Sequence, residues 1–192
     1  MAGRPRVLPL AAVVCAALAI QLTASQAVQN RPTSQVPHVP TPADVVDRML
    51  ALANVSSSDV VYDLGCGDGR IVVAAAKKYG ARAVGFDIDP DRIRESEANA
   101  KAAGVEHLVS FKQQDILTVD LSPASVVTLY LLSEWNLRLR PALTSQLKPG
   151  SRIVSHAFTM GDWEPEKTEV FTDSGGSPRS LYRWIVDGKQ RN

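Results

Sequence analysis

The stretch Val60-Val61-Tyr62-Asp63-Leu64-Gly65-Cys66-Gly67-Asp68-Gly69-Arg70-Ile71-Val72 constrains this chain more than any other. A run rich in β-branched and apolar side chains stops at three alternate glycines, and a helical pattern follows at once. It reads as strand, tight turn and helix start, the opening unit of an α/β sheet. Glycines there allow positive φ and let a ligand approach the peptide planes without a Cβ in the way. Amide groups at the helix start would favour polar or anionic ligand atoms. A dinucleotide fingerprint, however, needs a small residue at the sixth position from the first glycine. Counting from Gly65, that position is Arg70. The acid two residues ahead, Asp63, would repel a pyrophosphate and suits an ammonium group.

This spacing, D-x-G-x-G-x-G, resembles the first motif of the class I S-adenosylmethionine (SAM) methyltransferases. Their donor carries a cationic amine and a sulfonium, so an acidic partner fits. The rest of the chain agrees with a Rossmann-like, doubly wound α/β fold: a mostly parallel sheet with a C-terminal antiparallel hairpin. Thr41-Pro42-Ala43-Asp44 predicts a helix start with Thr41 as N-cap, and Val45, Val46, Met49, Leu50 and Ala53 form its apolar face. After the glycine turn a helix runs to Gly80, Arg82–Asp87 is the second strand, and Asp89-Pro90 opens a helix to Gly104. Further strands are predicted at Leu108–Phe111, Ser125–Tyr130, Arg152–Phe158, Thr168–Thr172 and Leu181–Val186. A helix is predicted from Pro141 to Leu147. No internal repeat is visible.

Asp87 ends the second strand 22 residues after Gly65, where a carboxylate accepts the ribose hydroxyls of an adenosine ligand. The resemblance implies further donor contacts from Gly65, Cys66, Gly67, Gly69 and Ile88. It also implies them from Asp115, at the adenine amino group, and Ile116, over the ring. Asp115 also reads as an ordinary loop acid, and Cys66 as a small turn residue rather than a nucleophile. A narrower similarity covers roughly residues 36–163. Its segments are Val36-Pro37-His38-Val39-Pro40-Thr41-Pro42, Val127-Thr128-Leu129-Tyr130-Leu131-Leu132 and Leu147-Lys148-Pro149-Gly150-Ser151-Arg152-Ile153-Val154-Ser155-His156. They resemble the archaeal protein lysine methyltransferases and their mitochondrial relatives. This chain has His38 where that arm carries Tyr, and Ala157 where an acid is frequent. The resemblance implies that His38 and Thr41 help cover the donor and that a protein lysine is the acceptor. No catalytic base is assigned. Tyr130, Leu131 and Ser133 are the channel candidates, with His156 and Trp163 behind them. Tyr130 and Trp163 read equally well as core or rim packing.

Composition bounds the partners. Of 21 Lys and Arg, residues 1–27 hold only Arg4 and Arg6, which leaves 19 basic against 20 acidic side chains. No basic excess remains to hold a phosphate backbone, which argues against a nucleic-acid partner. The two cysteines, Cys15 and Cys66, suit no disulfide framework, and His38, His107 and His156 show no metal-ligand spacing. Residues 1–27 read as a signal peptide or an N-terminal membrane anchor, with cleavage before Val28 favoured by the length of the apolar run. Residues 28–40 read as a Pro-rich linker or arm, and residues 41–192 as the catalytic domain. Export or membrane attachment stands in tension with a donor made in the cytoplasm. Two rival functions remain: a small-molecule methyltransferase, and an exported protein that binds SAM or a nucleoside without catalysis.

Overall fold

The computed structural model describes residues 39–191. The segment 1–27 and His38 lie outside the described residues. The elements in chain order are α1 (Ala43–Leu52), β1 (Val60–Leu64), α2 (Arg70–Tyr79), β2 (Arg82–Asp87), α3 (Pro90–Ala103) and β3 (Val109–Gln113). A 3-10 turn (Ile116–Thr118) follows, then β4 (Val126–Leu129), α4 (Ser133–Gln146), β5 (Arg152–His156), β6 (Lys167–Thr172) and β7 (Pro178–Ile185).

The seven strands form one sheet in the order β3-β2-β1-β4-β5-β7-β6. Strands β1 to β5 pair in parallel, while β7 runs antiparallel to both β5 and β6. The chain winds outward from β1 in one direction, then returns to start again at β4. A crevice for ligands opens outside the carboxyl ends of the strands at such a reversal. Register fixes what faces it: Asp63 lies opposite Thr128, and Leu64 opposite both Phe86 and Leu129.

Alternation along the strands divides the core. Val61, Val126 and Val154 point to the face covered by α1 and α2, where Met49, Leu50, Val72 and Ala75 are buried. Leu64, Val127, Leu129 and Ile153 point to the other face, against Leu139 and Leu143 of α4. Trp184 is fully buried there, and its indole Nε1 donates to the Trp163 carbonyl at 2.7 Å. A buried indole N–H that finds a partner costs nothing for desolvation and leaves the apolar gain intact.

Three expectations need correction. The N-cap of α1 is Pro42, not Thr41, and no side chain caps the helix. Asp44 is instead drawn elsewhere: it accepts from Val45 N at 3.0 Å and from Ser174 N at the hairpin tip. Helix α4 starts at Ser133 and carries Pro141 in its interior. The carbonyl that Pro141 cannot serve belongs to Leu137, which is exposed and can meet water. Strand β5 ends at His156 because Ala157 takes φ 67°, a left-handed backbone that no strand continues through. Among the described residues, no helix is long and apolar enough to cross a membrane.

Candidate functional site

The glycine turn is held by its neighbours before any ligand arrives. Gly65 N and Cys66 N both donate to the Phe86 carbonyl, at 2.8 and 2.9 Å. Gly67 N donates to Asp87 Oδ2 at 2.9 Å, and Gly69 N to the Cys66 carbonyl at 2.9 Å. From α3, Ser96 Oγ donates to the Gly67 carbonyl (2.8 Å) and Asn99 Nδ2 to the Asp68 carbonyl (2.9 Å). These four amides of the turn are therefore spoken for. Gly65 has φ 80°, and a Cβ there would stand 3.0 Å from Leu131 Cδ2, so the crevice floor needs glycine.

Two carboxylates flank the turn. Asp63 is 3% exposed, and its Oδ1 accepts from Thr128 Oγ1 at 2.7 Å. Among the described residues, its Oδ2 accepts no hydrogen bond. Burial pushes its pKa up to about 7 against the pull of Thr128, and the charges of Asp87 and Asp68 add to the rise. Such a group gains most from a cation placed beside it. Asp87 is also nearly buried, and Asp89 N donates to its Oδ1 at 3.0 Å. Gln114 N bonds the Asp87 carbonyl, and Gln113 Nε2 the Ile88 carbonyl at 3.3 Å. The end of β2 is thereby tied to the end of β3, just ahead of Asp115 and the 3-10 turn that begins at Ile116. Asp115 is exposed and caps the 3-10 turn by accepting from Leu117 N at 3.0 Å.

Cys66 belongs to the packing. It is buried, and a Cβ at Gly85 would meet its Sγ at 2.8 Å and Phe111 at 2.7 Å. Burial, with help from Asp63 and Asp87, pushes its thiol up, so no thiolate forms at neutral pH.

At the end of β4, Tyr130 stacks on His156 with ring centroids 4.0 Å apart and lies 6.5 Å from Phe158. His156 is fully buried, and neither ring nitrogen has a hydrogen-bond partner among the described residues. Burial and the Arg179 charge lower its pKa to about 4 against the opposing pull of Asp173, so the imidazole is neutral. Leu131 is buried against Gly65, and Ser133 is exposed at the start of α4. Asp63, Gly65, Asp87, Tyr130, Leu131 and His156 thus share the carboxyl edge of the central strands. Trp163 does not join them. It packs 6.1 Å from Trp184, whose strand partner is Ile153 at mid-sheet, on the α4 face. The residue that sequence reasoning left out is Thr128, which binds Asp63; the run Val127-Thr128-Leu129 does mark one polar side chain in an apolar strand. Among the described residues, no cluster of His, Cys, Asp and Glu has the makings of a metal site.

Strand order and an acid-lined glycine turn define a Rossmann-like methyltransferase. The chain belongs to the family described as the ANTKMT methyltransferase domain, whose model matches residues 63–167. It is 45% identical over 152 residues to a protein-lysine N-methyltransferase of Saccharolobus islandicus, covering 79% of this chain and 94% of that protein. It is 32% identical over 131 residues to the adenine nucleotide translocase lysine N-methyltransferase of Mus musculus, covering 68% of this chain and 57% of that one. Among solved structures it resembles an RNA methyltransferase from Salinibacter ruber in complex with S-adenosyl-L-homocysteine. The two are 52% identical with a TM-score of 0.75, covering 80% of this chain and 97% of that one.

Proposed function

We propose that this chain transfers a methyl group from SAM to the ε-amine of a protein lysine. The observation that carries the reading is Asp63: a buried carboxylate with one oxygen unbonded, at a turn whose Gly65, Cys66, Gly67 and Gly69 amides are already used. That site fits a cationic amine and rejects a pyrophosphate. Asp63 would hold the donor's ammonium, Asp87 its ribose hydroxyls and Asp115 its adenine amine. Gly65, Gly67 and Gly69 leave room along the turn, the backbone of Cys66 lines it, and Ile88 and Ile116 cover the ring. Thr41 would contribute to the cover of the donor, as would His38, which lies outside the described residues.

When bound, the donor supplies an electrophilic methyl on a sulfonium. The protein's own task is to bring an amine into line with it, and such positioning lowers a barrier by ~7–11 kcal/mol. Freeing a lysine lone pair at pH 7 costs about 4–5 kcal/mol from a reference pKa near 10.4. A channel walled by Tyr130 and Leu131, with the neutral His156 packed behind Tyr130 and Ser133 at the rim, would desolvate the incoming ammonium. That favours its neutral form and offsets part of the cost. No side chain need act as base.

Support for a protein acceptor comes from the two lysine methyltransferase relatives. The Salinibacter neighbour makes RNA the competing acceptor, and the even charge balance of residues 28–192 weighs against it. Incubating the protein with methyl-labelled SAM and a lysate, then resolving the label by residue type, decides. Label on lysine supports the reading; label confined to RNA or small molecules overturns it. For residues 1–27 we propose export or membrane attachment, in which case the native protein begins at Val28 if the segment is cleaved.

A further inference from the structure

Phe158 is a half-buried aromatic residue at the carboxyl edge of the sheet, presented by a strained turn at the end of β5. We propose that Phe158 is an acceptor-binding residue: with Tyr130 it forms an aromatic wall on which the incoming lysine ammonium and its methylene stem rest before methyl transfer. The role rests on the reading of a lysine acceptor; the geometry of the wall does not.

Ala157 takes φ 67°, and among the described residues outside glycine it shares a positive φ only with Asn54. Asparagine tolerates that backbone, whereas the Cβ of alanine is strained in it. Such strain persists only where the surroundings over-determine it, and it gathers at ligand clamps. Here the turn is held from both neighbours. Ala157 N donates to the Ser180 carbonyl of β7 at 2.8 Å, and Phe158 N to the His156 carbonyl at 2.9 Å, which closes a γ-turn. From α4, the fully buried Asn136 donates through Nδ2 to the Phe158 carbonyl at 3.2 Å and to the Thr159 carbonyl at 3.3 Å. The backbone of Phe158 is therefore fixed at its nitrogen and at its carbonyl, and its ring stands where β7 and α4 together place it.

That place is beside Tyr130. The two ring centroids lie 6.5 Å apart with planes 30° from parallel, and His156 lies 4.0 Å from Tyr130 at the same angle. His156 is the buried end of the layer, while Tyr130 and Phe158 are half-buried and are the rings a ligand can meet. Tyr130 follows Thr128 by two residues, so the wall begins just past the Thr128 bond to Asp63, the carboxylate assigned to the donor's ammonium. Elsewhere in the fold, Phe86, Trp135, Trp163 and Phe171 each carry an arginine or lysine of the chain over the ring. Among the described residues, Tyr130 and Phe158 carry none. An aromatic face attracts a cation without supplying a lone pair for its proton, and its apolar bulk covers the methylene stem. A carboxylate in that place would instead hold the lysine in its charged, unreactive form. Two rings thus suit an amine that is gathered as a cation and must then lose its proton.

The test uses the full chain with Phe158→Ala, Phe158→Leu and Phe158→Tyr, methyl-labelled SAM as donor and poly-L-lysine as acceptor. Initial rates give KM and kcat, and calorimetric titration gives the affinity for S-adenosyl-L-homocysteine. In Phe158→Ala we expect KM for poly-L-lysine to rise roughly tenfold while kcat changes by less than about threefold. The affinity for S-adenosyl-L-homocysteine should stay that of the wild type. Phe158→Tyr should keep the wild-type KM. Phe158→Leu should follow Phe158→Ala, because leucine restores apolar bulk but no aromatic face. A wild-type KM in Phe158→Ala overturns the proposal, and so does one in Phe158→Leu, which marks plain packing. Phe158→Tyr as impaired as Phe158→Ala overturns it too. A loss of S-adenosyl-L-homocysteine affinity that matches the rise in KM does the same, because the ring would then serve the donor or the fold. In each of these cases a wild type that labels lysine leaves the acceptor reading standing. Where it labels lysine only in lysate proteins, the same comparison is made on them. If it labels no lysine in either, the acceptor reading falls and the role of Phe158 with it.

Discussion

Changing the charge state of Asp63 should change donor affinity and apo stability in opposite directions. Without ligand its carboxyl titrates at about 7, mainly because burial penalises the anion. A donor ammonium binds the ionised form, so affinity should rise with pH until Asp63 is fully charged. With that pKa, the apparent Kd for S-adenosyl-L-homocysteine should fall roughly fifteenfold between pH 5.5 and pH 7, a range in which an α-amine stays protonated. Stability follows the other sign. The folded chain keeps this proton up to pH 7, while the unfolded chain loses it near the ordinary value of 3.8. The contribution is whole below 3.8 and gone once pH has risen past 7, a difference of roughly 4 kcal/mol. Apo protein should therefore melt lower at pH 8 than at pH 6.5, and ligand should reverse this. His156 does not disturb that window, because its own loss of stability occurs as pH falls from 6.5 through about 4. Asp63→Asn should abolish both effects: a higher apo Tm than wild type at pH 8, and weak binding that no longer varies with pH. Calorimetric titration and thermal melts from pH 5.5 to 8 measure these quantities. A wild-type Kd that is flat between pH 5.5 and 7, or an Asp63→Asn variant with wild-type affinity, refutes the reasoning.

Other substitutions separate the donor site from the scaffold. Asp87→Ala should abolish binding of SAM with the fold retained, read by titration beside far-UV circular dichroism; wild-type affinity would reject the pocket. Gly65→Ala forces a Cβ into a φ of 80° and against Leu131. The strain of ~1–2 kcal/mol should lower Tm by roughly 2–8 °C and weaken donor binding. Trp163→Ala removes a buried ring and should cost about 3–5 kcal/mol of stability while leaving the KM for a protein acceptor unchanged; a raised KM would return Trp163 to the channel.

What could be read from the chain and what could not divides along sequence distance. β1, the glycine turn and α2 are contiguous, so propensity, periodicity and turn chemistry all act on one stretch. The helix stops at Gly80 and Gly104 were legible for the same reason, and both glycines take the left-handed conformation as C-caps. The start of α4 was not, because its buried side includes Asn136 and Thr144, which break the apolar stripe, and Pro141 reads as a beginning. Asn136 is buried because its amide meets Ser155 Oγ and the Phe158 carbonyl, each at 3.2 Å and about twenty residues away. The acids of the site announced themselves by their places at strand ends. Their tuning did not: the Thr128 bond to Asp63, the Tyr130–His156 ring contact and the Arg70 bond to the Thr41 carbonyl all join residues that are far apart in sequence. Trp163 read equally well as a channel residue and as packing; its ring lies in the core on the α4 face, beside Trp184.

A crystal structure of the protein with S-adenosyl-L-homocysteine bound tests the assignment most directly. The account predicts the ligand's ammonium beside Asp63, its ribose hydroxyls on Asp87 and its adenine between Ile88 and Ile116 with the amine toward Asp115. A crevice left empty at saturating ligand, or a ligand seated with its amine away from Asp63, would contradict it.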